Sequence, residues 1–177
     1  MSLSLRRSFS IVIVLALAAQ LGGCSWWHKR KVRKDFEGVQ DSVTTALKRM
    51  KDADADVIKA RKAMSAASKA GAETDALVDK IHDFAVALQA TVPPANAFSE
   101  ATRPMVSTEE SSEISDLVMR TQNRLRAACD HALGFDDIDP CGEAYDEMLG
   151  AAYMFEERAK DFEVSFPVVR APEKSSD

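Results

Sequence analysis

Apolar residues along this chain recur at helical rather than strand spacing, and four stretches carry the pattern. In 35–70, Phe36, Val43, Met50, Val57 and Met64 stand seven apart, and Val39, Ala46, Ala53, Ala60 and Ala67 form a second row of the same period. Two such rows interleaved make an a/d heptad stripe, and alanine in one row lets a partner helix approach closely. Gly71 supplies the stop, because helices commonly end in a left-handed residue that glycine adopts without strain. At 1.5 Å per residue this helix is roughly 54 Å long, enough to carry a body well away from a surface. The second stretch opens at Thr74, a good N-cap, presents Leu77, Ile81, Phe84, Ala85 and Leu88, and ends at Pro93 and Pro94.

Residues 92–106 then read as a long connection containing prolines, Phe98 and Met105, either packed by those apolar residues or functionally mobile. A capping box from Ser107 to Glu110 starts the third helix, whose stripe is Ile114, Leu117, Val118, Thr121, Leu125, Ala128 and Ala132, closed by Gly134. Asp139 and Pro140 open the fourth as N-cap and first helical residue. Its stripe is Tyr145, Met148, Ala152, Phe155, Ala159, Phe162 and Phe166, and Pro167 marks its limit. Residues 167–177 read as a disordered polar tail. Helices three and four are of nearly equal length with a short connection, so they pair antiparallel. The expected fold is therefore all-α: a four-helix bundle built from two helical hairpins, with a long heptad-striped first helix.

Cys129 lies near the end of the third helix and Cys141 in the first turn of the fourth, which puts both thiols at the same end of that hairpin. In an oxidising compartment they are placed for a disulfide, worth about 3 kcal/mol for a loop of this size. The alternative is two reduced cysteines packed as small hydrophobes.

The start of the chain says where such a compartment would be. Arg6 and Arg7 precede an apolar run, 11–21 (IVIVLALAAQL), of signal-peptide rather than membrane-span length. It leads into Leu21-Gly22-Gly23-Cys24, which resembles the lipobox of bacterial lipoproteins. The resemblance implies removal of residues 1–23, diacylglycerol on the Cys24 thiol and a further acyl chain, such as palmitate, on the new amino terminus. Two chains hold a protein stably at a membrane where one does so only marginally. Ser25, rather than the aspartate that favours inner-membrane retention in this class, implies an outer-membrane address facing the periplasm.

Residues 24–34 form the anchor and a basic leader. Trp26 and Trp27 suit the membrane–water interface, and Lys29, Arg30, Lys31, Arg33 and Lys34 suit anionic lipid at about 1 kcal/mol per charge. The plainer reading is a solvated leader that merely starts the first helix. From residue 35 onward 16 Lys/Arg face 28 Asp/Glu, so the body has a formal charge of −12 while 29–34 carries +5. That asymmetry sets the basic end toward lipid and the acidic body away from it. An exported protein makes nucleic acid a poor partner.

Candidate chemistry is sparse. Asp79 and His82 share one helix face, but the repeated Glu-x-x-His set of a di-metal bundle is missing, so no metal or cofactor is expected. Asp136, Asp137 and Asp139 lack the alternating ligands and central glycine of a calcium loop. Glu156 and Glu157 read as solvated surface, and Met50, Met64 and Met148 as core. No nucleophile elbow, phosphate-binding glycine loop or Cys-x-x-Cys occurs, so no catalytic residue is expected and an enzyme is the least favoured class. The favoured class is an outer-membrane lipoprotein acting as a structural or assembly factor, through an envelope protein partner or self-association. In broad architecture the chain is similar to secretin pilotins, and parts of its first helix look like alanine-zipper lipoproteins. The alternative is a lipoprotein that holds an apolar ligand or lipid between its helices. The first helix, longer than the second by about half, and the 92–106 connection are the expected partner-facing parts.

Overall fold

The computed structural model describes the backbone of residues 3–130 and 138–169, and side chains within them from Ser25 onward. The helices are α1 (Leu3–Lys69), α2 (Thr74–Gln89), α3 (Val92–Thr102), α4 (Glu109–Cys129) and α5 (Ile138–Asp161), with no strand among the described residues. They form an all-α four-helix bundle in which α2 and α3, in series, make the second arm. Partners along α1 fall in number as α1 advances: Asp35 meets Ser107, Ser42 and Arg49 share a groove with Ala97 and Pro104, and Arg61 lies over Phe84. The second arm is therefore antiparallel to α1. In the other hairpin Thr121 touches Met148, Arg124 pairs with Glu147 and Cys129 is bonded to Cys141, again antiparallel.

The heptad stripe of α1 faces the core. Phe36, Val39, Val43, Ala46, Met50 and Val57 are buried, while Ala53, Ala60, Met64 and Ala67 are half-buried. Val32, one turn before Phe36, is fully buried as well. The body thus begins before residue 35, and the basic leader is the first part of the same helix rather than a separate segment. Nothing between Ser25 and Gly71 breaks the helix, since Gly38 sits on an exposed face and the rest are ordinary helix formers. Gly71 ends α1 at φ +62, with the Ala72 N–H donating to Ala67 O and the Gly71 N–H to Ser68 O, the paired bonds of a Schellman motif.

The 92–106 connection is mostly helix. Pro93 and Pro94 occupy the first turn of α3, where a missing N–H removes no intrahelical bond, so the pair bends the second arm without ending it. Thr91 Oγ1 donates to Leu88 O at 2.6 Å inside the bend, and Ala95, Phe98 and Met105 are buried. This segment lies along the α1 stripe. Helix α3 covers the proximal half, and Ala53 and the distal stretch from Ala60 to Ala67 stay half-buried.

Two further registers differ from expectation. The cap of α4 is Thr108, whose Oγ1 accepts the Ser111 N–H at 3.1 Å, while Ser107 donates to Asp35 instead. The face of α4 buried deepest is Ser111, Ser115, Val118, Gln122, Leu125 and Cys129; Ile114, Leu117, Thr121 and Ala128 lie half-buried beside it. Small hydroxyl residues let α4 approach α3, and the Ser115 hydroxyl donates to Thr102 O at 3.0 Å. Helix α5 ends at Asp161, before Pro167, because Glu163 takes φ +63 and the Val164 N–H returns to Ala159 O. The chain then folds back, burying Val164, Phe166 and Val169. Residues 167–169 belong to the body, contrary to the expected tail, and 170–177 lie outside the described residues. Phe155 anchors this end of the core, with Phe36, Phe98 and Phe166 at centroid distances of 5.2, 5.3 and 5.1 Å.

Candidate functional site

The residues expected to meet a membrane surface cluster at one end of the bundle. On α1, successive residues turn by 100°, so Trp26, Trp27, Arg30, Lys31 and Lys34 occupy the outward arc, and His28, Val32, Asp35 and Phe36 the inward one. Trp26 and Trp27 are 57 % and 61 % exposed, uncommon for tryptophan in a solvated body. The Arg30 guanidinium lies 5.3 Å from the Trp26 ring centroid, a cation–π contact that orients both side chains.

The inward arc ties this segment to the other helices. His28 Nε2 lies 3.1 Å from Glu110 Oε2 at the start of α4, and Glu110 also pairs with Arg158 near the end of α5. Arg33 donates to Glu37 and to Glu163, each at 2.8 Å. Asp35 Oδ2 accepts the Ser107 hydroxyl at 2.6 Å and its N–H at 3.2 Å. Exposed pairs of this kind contribute a few tenths of a kcal/mol each. Their combined role is geometric: they hold the first turns of α1, the start of α4 and the end of α5 in one register around buried Val32 and Phe36.

The Cys24 side chain lies outside the described residues, as do His131, Asp136, Asp137 and the side chains of the expected signal segment. Cys129 and Cys141 form a disulfide with Cα atoms 4.9 Å apart, and both are buried. This staple sits at the distal end of the bundle, where Ile138 and Gly142 approach Arg61 and Met64. From Cys24 to Arg61 the rise along α1 is roughly 55 Å, so the staple acts on the distal end and not on the basic end.

Glu156 departs from its expected place. It is 1 % exposed while Glu157 is exposed, and burial pushes its carboxyl up to about 7. Oε1 accepts the Val169 N–H at 2.7 Å, and Oε2 is buried with no hydrogen-bond partner among the described residues. Its position directly after Phe155 on the buried face was the one available signal. The chain fold-back that covers it is not encoded locally. Asp54 is another buried acid on α1, and it accepts the Tyr145 hydroxyl at 3.1 Å.

Asp79 and His82 are both exposed, and among the described residues no three His, Cys, Asp or Glu side chains converge as metal ligands. Met50 and Met148 are fully buried and Met64 half-buried, as core. Compared with protein families, curated proteins and solved structures, the chain has no match. Among the described residues no helix is long and apolar enough to cross a membrane.

Proposed function

We propose that this chain is a bacterial lipoprotein, cleaved before Cys24, acylated there, and anchored in the outer membrane with its helical body in the periplasm. There it acts as a structural or assembly factor through protein–protein contacts. The observation that supports this most is the continuity of α1. One uninterrupted helix runs from the anchor position through the whole bundle, and His28, Arg33 and Asp35 tie its first turns to α4 and α5. A flexible tether would let a body sample all orientations. A rigid one presents the same helical surface to a partner at every encounter and concentrates it at the membrane. The charge distribution agrees, with five cations within 29–34 and an acidic body beyond. The interior is filled by Phe36, Leu47, Phe98, Met148 and Phe155, so the bundle core does not favour a carrier that encloses an apolar ligand there.

The test is in-envelope crosslinking with the full chain beside Cys24→Ala. The expected result is an outer-membrane wild type of acylated mass that crosslinks to a defined envelope protein or to itself. Cys24→Ala is expected to lose the acyl mass, the outer-membrane fraction and those crosslinks. Unchanged fractionation and crosslinking in Cys24→Ala would sink the reading.

A further inference from the structure

A cleft at the basic end carries chemistry that anchoring alone leaves unused. It opens between the first turns of α1 and the end of α5, has a volume of about 570 Å³, and is walled by Trp26, Lys29, Arg30 and Lys34 with Phe162 and Glu163 opposite. On a helix Lys29, Arg33, Arg30 and Lys34 fan across about 140° of arc. Within that fan the charges are not equivalent. Arg33 is shared between Glu37 and Glu163, and the third carboxylate, Asp161, pairs with Arg158, so the four cations of the lining exceed its three carboxylates by one formal charge. Lys29, Arg30 and Lys34 are exposed and have no carboxylate partner among the described residues. The cleft therefore keeps a net positive wall although acidic residues line its far side.

Its apolar parts are placed as well. Trp26 holds the Arg30 guanidinium over its ring, and the half-buried Phe162 ring stacks on Phe36 at 5.8 Å. Lys29 follows Cys24 by five residues, a rise of about 7.5 Å. The polar layer of a bilayer leaflet is roughly 5–8 Å deep. With acyl chains on Cys24, the end of the cleft lined by Trp26, Lys29 and Arg30 lies at head-group level, and Lys34, about 15 Å along α1, has its side chain leaning back toward it.

We propose that this cleft binds the phosphate of a membrane phospholipid. The phosphodiester oxygens accept from Lys29 Nζ, the Arg30 guanidinium and Lys34 Nζ, and Trp26, nearest the anchor, covers the glycerol and first methylenes. The bound lipid adds a second, reversible contact beside the covalent one and fixes the roll of α1 about its axis, which acyl chains on a single residue leave free. This inference rests on the lipoprotein reading.

The test uses the full chain extracted from a bacterial envelope in mild detergent, with two readouts on one sample. Denaturing intact-mass spectrometry reads acylation of Cys24, and native mass spectrometry reads non-covalent phospholipid. The expected result is one phospholipid retained per chain, reduced at least about tenfold in K29Q/R30Q/K34Q. K48Q/K59Q/K62Q, equal in charge change and exposed farther along α1, is expected to retain it, and circular dichroism checks that both triples fold. Equal retention by the two triples, or an acylated wild type without phospholipid, overturns the cleft and leaves the anchor standing. Phospholipid on a chain without acyl mass supports the cleft and removes the anchor. Inorganic phosphate added at the phospholipid's own concentration should leave it bound; displacement would mean a free-phosphate site and overturn the lipid assignment.

Discussion

Neutralising Glu156 should flatten the pH dependence of stability. Its carboxyl titrates at about 7 in the folded chain against an ordinary 4.5, chiefly because burial penalises the charged form. Between those values the folded chain holds a proton that the unfolded chain releases. Stability therefore falls as pH rises through this window and levels off above it. At 1.36 kcal/mol per unit the loss is about 3 kcal/mol between pH 4 and pH 8. The Val169 N–H and Lys160 favour the anion and Glu157 opposes it, all less strongly than burial. Glu156→Gln keeps an oxygen for the Val169 N–H and removes the charge. Urea unfolding followed by circular dichroism at pH 5 and pH 8 measures the effect. Wild type should lose about 2–3 kcal/mol relative to Glu156→Gln across that range, a midpoint shift of roughly 1–1.5 M at a slope of about 2 kcal/mol per M. Acids elsewhere act equally on both chains and cancel in the comparison. Parallel pH profiles for the two proteins, within about 1 kcal/mol, would refute the buried ionisation.

Removing the staple and easing the fold-back give two more outcomes. Cys129→Ala/Cys141→Ala should lower unfolding free energy by about 3 kcal/mol and open the distal end, read as faster amide exchange in the end of α4 and start of α5. Exchange at the basic end should be unchanged, and uniform acceleration would contradict the placement of the staple. Glu163→Gly should stabilise by about 0.5–1 kcal/mol, because glycine takes the left-handed conformation freely. The exposed Arg33 pair that is lost offsets little of this, because solvent screens it. A fall in melting temperature would mean that Arg33 does more than a surface pair normally does.

Features encoded by local repeats are legible in the sequence. The two rows of α1 and the Tyr145–Phe155 stripe of α5 repeat often enough to define a face, and the cysteine placement followed once two antiparallel helices of similar length were assumed. The misreadings fall where one residue type serves two purposes. Pro93 and Pro94 end a helix when approached from before and begin one when approached from behind, and burial of Ala95 and Phe98 decides for the second. On α4 the apolar count favoured Ile114 and Leu117, whereas close approach to α3 favoured the hydroxyls of Ser111 and Ser115. Glu163 in a left-handed turn has no glycine to announce it, so the end of α5 and the burial of Glu156 under residues 164–169 were hidden together.

The basic end shows the same division on a larger scale. Its residue types were legible: tryptophans beside lysines and arginines, opposite in sign to the body. Its mechanics were not, because they depend on pairings across more than a hundred residues, Arg33 with Glu163, and across eighty, His28 with Glu110. Each pair alone is weak. Each nevertheless ties a different part of the body, the start of α4 or the turn after α5, to the same two turns of α1, and together with buried Val32 they make the leader part of the rigid body. A leader joined by a flexible hinge would transmit only position from membrane to bundle. With the anchor proposed above, one continuous with α1 would transmit tilt and roll as well, so a change of charge at Lys29 or Lys34 would act on how the distal end is presented roughly 40–50 Å away.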